Sequence, residues 1–131
     1  MSFKSTKEVA TEIEGVARLL IGRLTITEKD IIKYDITFNG ERESAEKINK
    51  MVPRFALSVS DLPRRIRFGV EKVIKERSFG LYDIVIPSKG IFKGIPLSVW
   101  KIGGSKTGCG FVYKDGVTVG YRFLVPISDI F

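Results

Sequence analysis

The sequence predicts an α+β fold, read as a single domain over residues 1–131. Three observations carry this. Apolar residues recur at helical spacing in several stretches before residue 78, whereas the chain from residue 81 onward reads as short strands separated by glycine turns. The order is helix, hairpin, helices and then an antiparallel meander, with no internal repeat or linker. A chain of 131 residues, 44% hydrophobic, has enough apolar surface for one core that needs no staples.

The expected N-terminal helix covers residues 5–21. Ser5 and Glu8 fit a capping box, Val9, Ile13, Val16 and Leu20 follow at helical spacing, and Gly22 is a C-terminal stop. A β-hairpin is expected next. Leu24 and Ile26 form its first arm, Glu28-Lys29-Asp30 its turn, and Ile32, Tyr34, Ile36 and Phe38 the inward face of its second arm. Asn39-Gly40 is a turn signal. A short helix from Ser44 carries Ile48, Met51 and Val52 inward and stops at Pro53. Phe55, Leu57 and Val59 are expected to form a short strand.

The central basic helix spans residues 62–77, with Ser60 or Asp61 as its cap, Pro63 in its first turn and Gly80 closing it. Leu62, Ile66, Val70, Val73 and Ile74 make the apolar face. A strand reading competes, because Ile66, Phe68 and Val70 also alternate with Arg65, Arg67 and Gly69. The C-terminal meander comprises residues 81–86 (ended by Pro87), residues 95–102, a glycine-rich loop over 103–110, and a hairpin of 111–113 with 117–125 around Asp115-Gly116.

Composition limits the chemistry. There is no histidine, so Ser–His and Cys–His nucleophiles and a Cys/His zinc site are excluded. Cys109 is the only cysteine, so no intramolecular disulfide forms. No apolar run reaches the ~18 residues needed to span a bilayer, and residues 1–8 lack a signal peptide's apolar stretch. The expectation is a cytoplasmic protein, or a virion-associated one if the source is viral. Glutamine is absent and asparagine occurs only at 39 and 49, while lysine and glutamate are plentiful; this composition points to a thermophile, archaeal or viral.

The net charge is +7 and it is uneven. Residues 1–53 hold nine basic and nine acidic side chains, so all the excess lies beyond residue 53. On the basic helix, Arg64, Lys75, Phe68, Lys72 and Arg65 fall within roughly 100° of arc, opposite the apolar stripe. Cations around an aromatic suit a phosphate backbone with stackable bases. Lys106, in the glycine loop, adds a contact, and Arg54 and Arg67 are peripheral. An alternative is that Phe68 packs against another element and the lysines serve solubility. Gly103-Gly-Ser-Lys-Thr-Gly108 lacks phosphate-loop spacing, because Ser105 intervenes before Lys106 and a strand follows.

The leading expectation is a small, non-catalytic protein that binds nucleic acid through phosphate contacts, without cofactor or metal. The second is a self-assembling structural subunit, since the chain ends on the apolar pair Ile130-Phe131 and the β half offers edges for a homo-oligomer. The third is a metal-dependent nuclease using Asp83 or the Glu28, Asp30 and Asp35 group. Against it, the position two before Lys101 is Val99, so the usual second carboxylate is missing.

Overall fold

The computed structural model describes residues 24–118 and 120–131; the helix expected over residues 5–21 lies outside them. Thr27 starts helix α1 (Glu28–Lys33) with a capping box, its hydroxyl accepting from the Asp30 N–H while the Asp30 carboxylate accepts from the Thr27 N–H. That local pairing overturns the expected N-terminal β-hairpin: Glu28-Lys29-Asp30 opens a helix instead of a turn. Ile31, Tyr34 and Ile36 point inward, and Ile32 is 76% exposed. Only β1 (Thr37–Phe38) is strand, and its partner is the last strand of the chain. Asn39 and Gly40, at φ 50° and 85°, make the two-residue turn that returns the chain to Glu41. Ile26, without a strand partner, exchanges two hydrogen bonds of 2.8 Å with the Asn49 side chain.

Helix α2 (Ala45–Met51) is capped by Ser44, buries Ile48, and passes into a 3₁₀ turn, Val52–Arg54, that contains Pro53, as expected. No strand forms over 55–59. Phe55 makes a single bridge to Tyr113, and Val59–Asp61 is another 3₁₀ turn. The central segment is helical, α3 (Arg64–Glu76), but its caps differ from expectation. Neither Ser60 nor Asp61 caps it; the Asp61 carboxylate accepts from the Leu57 N–H at 3.0 Å. Pro63 precedes the helix and has no N–H to satisfy. Arg77, in left-handed conformation at φ 51°, ends it ahead of Gly80. Leu62, Val70 and Val73 are buried as expected, while Ile74 is exposed.

The remaining strands are β2 (Ile84–Val85), β3 (Leu97–Lys101), β4 (Lys106–Phe111) and β5 (Tyr121–Pro126). They form the expected antiparallel meander, and β1 adds to its far edge to give the order β1-β5-β4-β3-β2. The fold is therefore α+β with one five-stranded sheet. The glycine-rich stretch is shorter as a loop than expected: only Gly103 and Gly104 turn at positive φ, and β4 resumes at Lys106.

One face of the sheet presents Val85, Leu97, Val99, Cys109, Phe111, Tyr121, Phe123 and Val125 to the main core. Phe111 is its centre. Its ring stacks on Phe55 at 4.4 Å and lies 4.8 Å from Phe123 and 5.9 Å from Phe92. Phe92, from the β2–β3 connection, stacks in turn on Phe123 at 4.6 Å. A second cluster, Ala56, Leu62, Val70 and Val112 with Ile66, Ile84 and Ile86, seats α3 against β2. The C-terminal turn, Ile127–Asp129, buries Ile130 in the main core, and the Asp129 carbonyl accepts from the Ser88 N–H at 2.7 Å.

Truncation of Phe111 empties the middle of this ring cluster. Phe111→Ala should lose about 3–5 kcal/mol of folding stability, read from urea unfolding midpoints at unchanged slope. Burial also pushes the Cys109 thiol up to about 12, and burial followed by the hydrogen bond to Glu43 raises Tyr121. Both groups bind their protons more tightly when folded. The stability they confer is whole below the ordinary thiol value of ~8.5 and is lost as pH rises toward 12. The melting temperature should therefore fall from about pH 8.5 upward, and Cys109→Ala should fall less steeply.

Candidate nucleic-acid interface

Because Ile66, Val70 and Val73 hold α3 down, 3.6-residue periodicity turns Arg64, Phe68, Lys72 and Lys75 outward. All four are exposed, and the Phe68 ring is 68% exposed. Among the described residues no carboxylate lies within ion-pair distance of Arg64, Lys72 or Lys75, and the i,i+4 pairs Glu71–Lys75 and Lys72–Glu76 do not close. Glu71 and Glu76 remain on the same helix and reduce its net charge.

Two predicted contacts are partly committed elsewhere. The Arg65 guanidinium donates to the Asp115 carbonyl at 3.3 Å, tying α3 to the β4–β5 turn. Arg67 donates from Nε to the Leu62 carbonyl and from Nη2 to the Ser60 carbonyl, both at 3.0 Å, and so holds the turn that leads into α3. Arg54 is exposed on the 3₁₀ turn after α2. Lys106 is exposed but stands at the start of β4. Val112, just past the other end of β4, is the residue that touches the α3 cluster. Roughly 20 Å of strand separates Lys106 from Val112.

The carboxylates weighed for metal are each engaged in the scaffold. Glu28 accepts from the Ala45 N–H at 2.9 Å, Asp30 caps α1, and Asp35 pairs with Arg42. Asp83 is exposed and accepts from the Gly80 N–H at 2.7 Å. Among the described residues no three of His, Cys, Asp or Glu come together as a metal group.

Sequence reasoning passed over a second group of aromatics and cations, on the sheet face away from the main core. Register shifts between Val99 and Lys101, so Trp100 and Lys101 together oppose Gly108. This bulge puts both side chains on one face. A Cβ at Gly108 would lie 2.8 Å from the Trp100 ring and 2.8 Å from the Lys101 Cβ, so only glycine admits the pair. The indole N–H donates to the Cys109 carbonyl at 2.9 Å, and the Arg122 guanidinium stacks on the ring at 4.7 Å. Tyr82 stands beside them at φ 70°, a conformation that bulky residues rarely adopt, and is 81% exposed. The signal for this face was Gly108-Cys109-Gly110, glycines at alternate positions within a strand.

Comparison with protein-family models, with curated proteins and with solved structures finds no match for this chain. The fold and the two surfaces define it as an α+β protein with a cationic, aromatic-bearing helix and a glycine-floored sheet face. Among the described residues, no helix is long and apolar enough to cross a membrane.

The bulge gives a direct check on this geometry. Gly108→Ala must lift Trp100 from the strand. It should cost about 1–3 kcal/mol of stability and shift the emission of Trp100 to longer wavelength, measured by denaturation and fluorescence.

Proposed function

We propose that this protein binds nucleic acid, chiefly through phosphate contacts, and performs no chemistry on it. The observation that carries the reading is Phe68, an exposed ring set among Arg64, Lys72 and Lys75, cations with no ion-pair partner among the described residues. A solubilising face has no use for an exposed phenyl ring, whereas a polyanion with stackable bases uses both features. Support for a non-catalytic role comes from the absence of histidine, from a thiol held protonated by burial, and from the scaffold bonds of the acidic residues.

Self-assembly is the weaker alternative, because part of the apolar tail that motivated it is held within its own chain, although Phe131 stays 40% exposed. Ile130 packs in the main core, and Phe131 rests near Phe79 with ring centres 5.8 Å apart.

The test is a salt titration with a DNA duplex. Each lost phosphate contact lowers the slope of log K against log salt by ~0.9. The triple variant Arg64→Ala, Lys72→Ala, Lys75→Ala should therefore bind with a slope smaller by about 2 to 3 and much more weakly at low salt. Weak binding that is independent of salt, and the same in both proteins, would sink the reading.

A further inference from the structure

We infer that the glycine-floored face of the sheet takes unpaired bases, so that the preferred partner of this protein is single-stranded nucleic acid. The inference rests on the nucleic-acid reading above and extends it from α3 to a second surface.

Two grooves adjoin on this face and share Trp100, Gly120 and Arg122. The smaller, about 170 Å³, lies between Tyr82 and the Trp100–Arg122 pair, with Ser98 and Thr118 on its walls. The larger, about 410 Å³, lies on the other side of that pair, toward Lys101, Thr37 and Asn39. The Trp100–Arg122 stack therefore borders both recesses. Aromatic and guanidinium planes are what consecutive unpaired bases stack on, and hydroxyl and amide groups at the walls meet base edges.

The charge of the face matches that occupant. Lys101 and Arg122 are exposed cations. The smaller groove has no carboxylate in its lining, and the one carboxylate of the larger, Asp35, is already paired with Arg42. An apolar helix from a protein partner would leave both cations and the wall hydroxyls without acceptors. A duplex keeps its bases stacked inside and has no free ring faces to offer.

Tyr82 strengthens the assignment. Its left-handed backbone is costly for a bulky residue, and strain of this kind tends to gather at ligand sites. The backbone is nevertheless held, since the Tyr82 N–H donates to the Val99 carbonyl at 2.7 Å. Tyr82 also borders a third groove, beside Ile66, Gly69 and Val70 of α3 and the exposed Asp83, whose carboxylate is taken up by the Gly80 N–H. One residue thus adjoins both the sheet face and α3.

Trp100 is the only tryptophan of the chain, so its fluorescence reports on this face alone. The experiment titrates the whole protein with a homothymidine oligonucleotide of about twelve nucleotides, a length typical of such sites, and with a duplex of equal length. The single strand should quench Trp100 and bind more tightly than the duplex, which should bind without quenching. Tyr82→Ala and Arg122→Ala, both changes of exposed side chains, should each weaken single-strand binding by about 5- to 100-fold with duplex affinity within twofold and circular dichroism unchanged. Single strand and duplex binding alike, with no quenching, would overturn this inference and leave the α3 reading standing. Unchanged single-strand affinity in both variants would overturn it too. Binding of neither nucleic acid would overturn both readings and turn attention to a protein partner.

Discussion

The stack of Phe55 on Phe111, at 4.4 Å and nearly parallel, is the contact on which the rest of the molecule depends. Phe111 belongs to the middle strand of the sheet, and Phe55 to the segment that leaves α2. Through Phe123 and Phe92 the same cluster reaches the last strand and the long β2–β3 connection. Four stretches far apart in sequence therefore meet at one set of rings. Each ring buries a large apolar area and adds roughly 0.5–1.5 kcal/mol per well-placed pair beyond that burial. Once these contacts fix one face of the sheet, side-chain alternation directs Ser98, Trp100 and Arg122 to the other.

The two faces of the sheet thus have different characters for one reason. On the core side the residues are large and apolar, and cover comes from α1, α2 and the connection that carries Phe92. On the other side, among the described residues, α3 packs over the end near β2 and Val112. Beyond it, glycines replace side chains and a bulge sets two residues where one would stand. Trp100, Lys101 and Arg122 stand there, and the carboxylate in the groove lining, Asp35, is paired with Arg42.

The meander and the basic helix were legible because their signals are strong and regular. Residues 62–77 hold helical spacing over several turns, and Asp115-Gly116 and Asn39-Gly40 turn where such pairs turn. Helix α1, in place of the expected hairpin before residue 39, was not legible, because a four-residue capping box outcompetes alternation over a short stretch. The Tyr34–Ile36–Phe38 pattern is the same in either structure; the hydrogen bonds of Thr27 and Asp30 decide it. On α3, spacing alone sufficed to set Phe68 among cations, but it could not tell that Arg65 and Arg67 bond to neighbouring carbonyls. The sheet face was hidden for a different reason. Trp100, Arg122 and Tyr82 are separated by up to 40 positions in sequence, and only strand register brings them together.

The edges of the sheet have a consequence for how the protein behaves in a crowd of its own copies. The outermost strands, Thr37–Phe38 and Ile84–Val85, are each two residues long. An incoming strand would find room for very few backbone hydrogen bonds on either side, too few to offset the ordering of its own chain. Among the described residues, growth of the sheet from molecule to molecule, the first step toward a fibril, therefore finds little template. Sheet edges this short let copies of a protein meet at high local concentration without fusing strand to strand.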